Sequence, residues 1–186
     1  MLEDSRTAPR ESGALVIDET GDRKDGKKSA HVGKQYLGGI GKIDNNGVVS
    51  VSSLYADERL HYPLEVEPYT PAHHFEGGKD ELGVPEFRTK PQVALEVVER
   101  ATEMALPFRA VVADILYGEH RGFRDGLWQR SIPYVLALKP THAWWHRMGE
   151  LGCVEEVARA AFREGEDDPG KWVALERTFR DVHTER

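Results

Sequence analysis

A short apolar stretch near the N-terminus, Ala14-Leu15-Val16-Ile17-Asp18, decides the fold. Its consecutive Leu, Val and Ile leave no polar face, which predicts a buried strand with a carboxylate at its end. A second stretch of the same design, Ala110-Val111-Val112-Ala113-Asp114, predicts a second buried strand over residues 108–114. A third is predicted over residues 133–139. We expect these three strands to lie at the centre of one sheet, with helices on its faces.

The composition is typical of one globular domain. The chain has 186 residues, of which 39% are hydrophobic and 31% charged, enough for a sizeable core. No apolar run approaches the ~20 residues that a membrane helix needs, and the first residues lack the pattern of a signal peptide. The single cysteine, Cys153, excludes an intrachain disulfide. These features indicate a cytoplasmic protein with no membrane partner.

The charge is unevenly distributed along the chain. The net charge of −7 disfavours a nucleic-acid partner, because phosphate binding depends mostly on Lys and Arg. Basic residues nevertheless cluster after Asp18 and are candidates for contacts with backbone phosphates: Arg23, Lys24, Lys27, Lys28 and Lys34. A solvated hairpin explains the cluster equally well. Residues 21–29 resemble a phosphate-binding loop but hold Lys28 where Ser or Thr is needed, so no nucleotide cofactor is expected.

The first half of the chain predicts an antiparallel meander. Residues 1–12 are polar and predict a disordered segment. Residues 34–56 predict two antiparallel strands beside the first, joined by a hairpin turn at Asn45-Asn46-Gly47. Residues 61–71 contain three prolines and predict an edge strand that runs into a loop.

The second half predicts strands connected by helices. Thr89 and Gln92 form a capping-box pattern, and a helix is predicted to continue to Pro107. Its apolar face is Ala94, Val97, Val98, Ala101 and Met104. Strand–helix–strand spacing implies parallel pairing, so the fold class is α/β with a mixed sheet. After residue 140 the pattern weakens, with a short helix over 154–162 and a strand over 172–179 as the remaining expectations.

Asp18 and Asp114 are the strongest candidates for chemistry. If their strands are parallel neighbours, both carboxylates lie at one edge of the sheet, where ligands bind in such folds. A divalent cation such as Mg²⁺ relieves the repulsion between two convergent carboxylates, and metal ions promote phosphoryl transfer. The alternative is that each aspartate only caps a turn. The matched contexts of the two residues favour the metal site.

Weaker signals have simpler explanations. His73 and His74 lack a partner at metal-ligand spacing and indicate a loop role, and nothing marks Cys153 as an activated thiol. The Trp144-Trp145 pair favours packing over base stacking. Glu119 and Asp22 are candidate additional acids, or else a charge at a helix N-terminus and a turn residue respectively.

Three motifs together resemble the DDE-type transposases of bacterial insertion sequences. They are Leu15-Val16-Ile17-Asp18-Glu19-Thr20-Gly21-Asp22 with the Lys27-Lys28-Ser29 and 32–38 segments that follow, Val112-Ala113-Asp114-Ile115-Leu116-Tyr117-Gly118, and Tyr134-Val135-Leu136-Ala137-Leu138-Lys139. The resemblance runs from about residue 13 to 146. It implies an RNase H-like core over residues 13–140 and the start of a β-rich insertion over 141–186.

The resemblance also implies a function. Asp18 and Asp114 would be the first two catalytic residues and would hold Mg²⁺ or Mn²⁺. The reaction would be cleavage of DNA at the element ends and transfer into target DNA. Water and then a freed 3′-hydroxyl would attack the phosphodiester, with no covalent enzyme intermediate. Such enzymes need a third acid, a glutamate on a later helix. Glu155, Glu156 and Glu176 lie too early for that role, so the chain is expected to be a truncated core.

Three hypotheses about function follow. The first is a transposase core that is inactive alone. The second is a non-catalytic remnant that pairs with intact transposase. The third is a nuclease that recruits Glu119 or Asp22 as its missing acid. The hypotheses that involve a transposase imply DNA partners, namely the transposon ends and the target. A homo-oligomer is a further possibility.

Overall fold

The protein was analysed as a computed structural model that describes residues 6–26, 29–38, 42–75, 86–147, 150–153, 177–178 and 184–185. The chain divides into two compact units, Met1–Ala137 and Leu138–Arg186. The first unit contains β1 (Ala14–Arg23), β2 (Gly33–Leu37), β3 (Lys42–Ala56), β4 (His61–Pro68), a 3₁₀ turn (Ala72–His74), α1 (Lys90–Glu103), β5 (Ala110–Ala113), α2 (Ile115–Gly118), α3 (Arg121–Gln129) and β6 (Tyr134–Leu136).

Six strands form one mixed sheet in the first unit. The order is β2-β3-β1-β5-β6, and β4 also pairs with β3. Strands β1 to β4 are antiparallel neighbours, whereas β5 pairs with β1 and β6 pairs with β5 in parallel. The helical crossover before β5 makes the parallel pairing possible. The predicted change from an antiparallel meander to parallel units is confirmed.

The predicted hairpin turn at Asn45-Asn46-Gly47 is wrong. These residues lie inside β3, and the chain reverses between Leu37 and Lys42. The Asn46 side chain donates hydrogen bonds to the main-chain oxygens of Lys24 at 2.6 Å and Gly26 at 2.9 Å. Gly47 pairs with strands on both sides, and a Cβ there would lie 2.7 Å from the Asp22 oxygen. The Asn-Gly signal therefore reflects close strand packing instead of a turn.

One side of the sheet, the helix face, packs against α1 and α3. Leu15 and Ile17 of β1, Val51 of β3 and Val111 of β5 point to this side and are buried. The helices supply the other half of the core: Val93, Ala94, Val97, Val98 and Ala101 of α1, and Phe123 and Leu127 of α3. Strand alternation brings Leu15 and Ile17 of β1 to the same side of the sheet.

Helix α1 begins as predicted and ends earlier than predicted. The Thr89 N–H donates to Gln92 Oε1 at 2.8 Å, as a capping box requires. The helix ends at Glu103, and Met104 is its C-cap residue. Met104 is 62% exposed, so its predicted place in the core is wrong. Ala105 then adopts a positive φ of 52°, which turns the chain away from the helix axis before Pro107.

The opposite side of the sheet is called the carboxylate face here. Directly paired residues share a face, and the register aligns five apolar residues in one row across it: Pro63, Leu54, Val16, Val112 and Val135. Val135 is 64% exposed. It belongs to β6, whose described strand partner is β5 alone. The prediction that all three apolar strands are central is therefore wrong for β6.

The N-terminal segment contacts the sheet, although residues 1–12 were predicted to be disordered. Arg59 donates from its guanidinium to the main-chain oxygens of Arg6 at 3.2 Å and Ala8 at 3.0 Å. The Tyr55 hydroxyl accepts a hydrogen bond from the Arg10 N–H at 2.6 Å. These contacts use main-chain groups, which are present whatever the side chains, so the polar composition gave no sign of them. The described residues from Arg6 onward are therefore attached to β3 and the β3–β4 turn.

The second unit contains two short strand pairs. β7 (Ala143–Arg147) pairs antiparallel with β8 (Glu150–Cys153), and β9 (Arg177–Thr178) with β10 (Thr184–Glu185). Trp144 and Trp145 lie on β7. The helix predicted over 154–162 and most of the strand predicted over 172–179 lie outside the described residues. Among the helices described, none is long and apolar enough to span a membrane.

Candidate active site on two adjacent parallel strands

Asp18 and Asp114 occupy neighbouring positions on adjacent strands. β1 and β5 are parallel neighbours in a register that pairs Ile17 with Ala113, and each aspartate is the next residue. Asp114 directly follows the end of β5, whereas Asp18 lies inside β1, which continues to Arg23 and so does not end at Asp18 as predicted. Neighbouring strands lie about 5 Å apart. Asp114 keeps an extended backbone, and alternation therefore places both side chains on the carboxylate face. The condition required for a shared site, parallel neighbouring strands, is met.

Main-chain groups hold one oxygen of each carboxylate. Asp18 Oδ1 accepts from the Glu19 N–H at 2.7 Å. Asp114 Oδ1 accepts from the Leu116 N–H at 3.0 Å, and Asp114 is thereby the N-cap of α2. Both residues are exposed, and within the described part of the chain the Oδ2 atoms make no hydrogen bond. Asp114 thus caps a helix, as the alternative interpretation proposed, and still has an oxygen available to a ligand.

This pair fits part of a site for a hard divalent cation. Mg²⁺ is commonly held by one or two carboxylates, with water and substrate phosphate completing the octahedron. Two exposed carboxylates with free oxygens on neighbouring strands meet that need. Among the described residues, no group of three or more His, Cys, Asp or Glu side chains is placed to hold a metal ion. The described site therefore offers two protein ligands.

Three residues that the sequence did not single out lie on the helix face behind the aspartates. Glu19 follows Asp18 and points to this face, where its Oε1 lies 2.6 Å from Lys90 Nζ. Lys90 also lies 5.6 Å from the centre of the Tyr69 ring. Tyr117 of α2 is fully buried, with its ring 5.4 Å from Phe123. Alternation along β1 could have identified Glu19, since it follows Leu15 and Ile17 in the inward series.

The Tyr117 hydroxyl is buried and is influenced by several negatively charged side chains. Burial raises the pKa of Tyr117 far above its usual range, and the charges of Glu19, Asp114 and Asp18, in decreasing order, raise the pKa further. The hydroxyl is therefore a protonated donor at any physiological pH. Its oxygen is buried and has no hydrogen-bond partner in the described chain.

The predicted DNA-contacting cations are only partly described. Arg23 lies 3.6 Å from Asp25, and Lys24 forms an ion pair with Asp22. The hydrogen bond and charge of Lys24 lower the pKa of Asp22. Lys34 is exposed on β2, while Lys27 and Lys28 lie outside the described residues. Neighbouring acids thus partly neutralise two of the five cations.

The other candidate acids do not join the pair in the described structure. Asp22 lies four residues beyond Asp18 on β1, which is about 13 Å along a strand. Glu119 is the C-cap of α2 and directly precedes His120, the N-cap of α3, so it lies next to the N-terminus of α3. Residues 21–23 continue β1 instead of forming a phosphate-binding loop.

The remaining polar candidates have structural partners. His74 Nε2 lies 2.8 Å from the Val32 oxygen, and His31 Nδ1 lies 2.8 Å from Thr70 Oγ1. The rings of His73 and His74 are 4.2 Å apart. These contacts attach the 3₁₀ turn to the start of β2, which agrees with the loop role predicted for the histidine pair.

Comparison with known proteins identifies related sequences. The chain matches the family described as DDE superfamily endonuclease over residues 2–185. It is 36% identical over 129 residues to a probable transposase for insertion sequence element IS701 of Microchaete diplosiphon. The aligned region covers 69% of this chain and 32% of that protein, so the chain corresponds to about a third of the relative. No solved structure matches the chain significantly.

Proposed function

Because the chain belongs to the DDE superfamily of endonucleases, we propose that it is the part of an insertion-sequence transposase that carries the first two catalytic aspartates. The proposed reaction is metal-dependent cleavage of DNA at the element ends, followed by strand transfer into target DNA. One observation carries this assignment. Asp18 lies within β1 and Asp114 directly follows β5, at neighbouring positions of two adjacent parallel strands and on one face of the sheet, where both can share a cation.

Asp18 and Asp114 would hold Mg²⁺ or Mn²⁺ through the oxygens that main-chain groups leave free. When bound, such an ion activates the attacking oxygen and stabilises the charge on the leaving oxygen of a phosphodiester. The protein's task is then to present the ligands rigidly. The Glu19 and Leu116 N–H groups fix Oδ1 of each aspartate, and the paired strands fix the spacing between them.

DNA would approach the carboxylate face, and the nearby cations would contact its backbone. In this proposal Arg23, Lys24, Lys27, Lys28 and Lys34 make contacts that do not depend on sequence. Asp25 and Asp22 partly neutralise Arg23 and Lys24. Replacing Lys34 by Gln should weaken DNA binding and reduce its dependence on salt by about one phosphate contact.

A metal-binding measurement tests the proposal. We expect Mn²⁺ to bind the chain, as followed by calorimetry or electron paramagnetic resonance. Asp18→Asn and Asp114→Asn should each abolish this binding. Asp125→Asn is the matched control, because Asp125 is another partly exposed aspartate that pairs with Arg121 on α3. Equal binding by all four proteins would contradict the proposed site.

A cleavage assay tests the reaction. With two carboxylates in the described site, we expect the chain by itself to bind metal without performing strand transfer. If the chain nicks DNA in the presence of Mg²⁺ and Asp18→Ala abolishes the nicking, the site is more complete than proposed. If the chain neither binds metal nor cleaves, but binds a longer transposase, the non-catalytic interaction module is the better assignment.

A further inference from the structure

We propose that Tyr117 and Glu19 are positioning residues that connect the two aspartate-bearing elements from behind, a role that rests on the proposed metal site. The Tyr117 hydroxyl would donate to the Glu19 carboxylate through one buried water. This connection would hold Asp18 and Asp114 at the spacing that a shared cation needs. Neither residue would touch the metal or the DNA.

The first support is where the two residues lie in the chain. Glu19 is adjacent to Asp18 on β1, and Tyr117 is three residues after Asp114 on α2. A connection between them therefore joins the two elements that carry the aspartates. β5 contributes only four residues to the sheet, so a second connection at its end would add rigidity that the short strand lacks.

The second support is a donor and an acceptor that complement each other. The Tyr117 hydroxyl oxygen is buried and has no hydrogen-bond partner in the described chain, although buried hydroxyls are nearly always paired. Glu19 carries the largest charge effect on that hydroxyl, and its Oε1 is buried as well. A carboxylate accepts several hydrogen bonds, so its ion pair with Lys90 at 2.6 Å leaves room for the tyrosine.

The third support is that both residues are held in place by other contacts. Lys90 fixes Glu19 and lies over the Tyr69 ring. The Tyr117 ring packs on Phe123. The next residue, Gly118, approaches the end of β6 so closely that a Cβ would lie 1.9 Å from the Ala137 oxygen. The hydroxyl therefore has little freedom to turn toward another partner.

The test compares Tyr117→Phe with Tyr62→Phe. Each removes a buried hydroxyl that has no hydrogen-bond partner in the described chain and keeps the ring, and Tyr62 on β4 pairs with Tyr55 instead of facing the aspartates. We expect Tyr117→Phe to weaken Mn²⁺ binding on the order of tenfold, as loss of a group that orients metal ligands does. Tyr62→Phe should leave Mn²⁺ affinity unchanged. Equal affinities for the two variants would overturn the positioning role.

A double-mutant cycle tests the connection without metal. The effects of Tyr117→Phe and Glu19→Gln on the unfolding equilibrium should be non-additive if the two side chains interact. Additive effects overturn the connection. The outcomes also separate the two proposals. If the unmutated chain shows no Asp18-dependent Mn²⁺ binding, the proposed function fails, and the positioning role with it. If binding is present and Tyr117→Phe does not change it, only the positioning role fails.

Discussion

The two faces of the six-stranded sheet are formed by the same strands, but one face is buried and the other is partly exposed. On the helix face, Leu15 and Ile17 are buried at 0% and 1% exposure. On the carboxylate face, Val66 and Val135 remain 56% and 64% exposed, and Asp18 of β1 lies next to Asp114, which follows β5. Within one strand, alternate residues therefore pack the core, and the residues between them carry the candidate metal ligands. Changes on the helix face should therefore affect stability, and changes on the carboxylate face should affect binding.

Truncation of a helix-face residue should produce the largest effect. Leu15→Ala removes a fully buried side chain from the core shared with α1, and we expect it to lower the free energy of unfolding by about 2–5 kcal/mol. Val135→Ala is the matched control on the carboxylate face and should change the free energy of unfolding by about 0.5 kcal/mol or less. Chemical denaturation of both variants measures the difference. Similar losses would show that the carboxylate face is also packed.

A substitution at Gly118 should affect both stability and metal binding. A Cβ on Gly118 would overlap the Ala137 main-chain oxygen, so Gly118→Ala must displace α2 and should cost about 1–3 kcal/mol. Because Asp114 is the N-cap of α2, Mn²⁺ affinity should fall as well. Gly122→Ala is the control, since its Cβ would lie 3.2 Å from the nearest atom, which belongs to the His120 side chain and not to the main chain. Unchanged Mn²⁺ affinity in Gly118→Ala would show that the position of α2 does not affect metal binding.

Local sequence signals predicted the parts of the fold that local chemistry controls. Consecutive aliphatic residues identified β1 and β5, and Thr89 with Gln92 identified the start of α1. Strand–helix–strand spacing predicted parallel pairing in the second half of the chain, and β5 and β6 pair in this way. That β1 and β5 are parallel neighbours, which brings the two aspartates together, was a condition in the sequence argument and is a finding of the structure. Their role came from the resemblance of the surrounding motifs, because an aspartate after a strand is by itself equally a turn cap.

Other features depend on partners that are distant in sequence. Asn46 and Gly47 carry a turn signal, yet pairing with strands on both sides keeps them in β3. The three apolar strands look alike in sequence, but β6 has one described neighbour and so is not central. Glu19 and Tyr117 gained significance only when the fold placed them behind the aspartates. No pattern within a single segment contains that information.

The stability of the fold should also depend on pH, through a carboxyl group at the margin of the helix face. Tyr55 points to this face, and its hydroxyl lies 3.0 Å from Asp57 Oδ2. Burial of Asp57 favours the protonated form, but hydrogen bonds from the Arg59 and Leu60 N–H groups and the Arg59 guanidinium outweigh it and lower the pKa of Asp57. A carboxyl with a lower pKa in the folded chain stabilises the fold above its unfolded pKa of about 3.9.

This stabilisation should be lost as the pH falls below about 4 toward the folded pKa. Asp57→Asn should therefore lower the melting temperature at pH 7 and flatten its decline in acid. Asp25→Asn is the control, since Asp25 is an exposed residue whose guanidinium partner lies 3.6 Å away. Thermal melts between pH 2 and pH 7 measure both. An Asp57→Asn protein with the same acid dependence as the unmutated chain would contradict the assignment.

The smallest effect on stability should come from a charge on the carboxylate face. Val135 ends the apolar row formed with Val112, Val16, Leu54 and Pro63. Exposed apolar patches favour association, so we expect the chain to self-associate as its concentration rises. Val135→Lys should shift sedimentation toward monomer and change the free energy of unfolding by about 0.5 kcal/mol or less. Trp128→Lys, at another exposed apolar residue on α3, should leave association unchanged. A monomer at all concentrations would mean that exposure of this row does not cause association, and the two faces would then differ in chemistry alone.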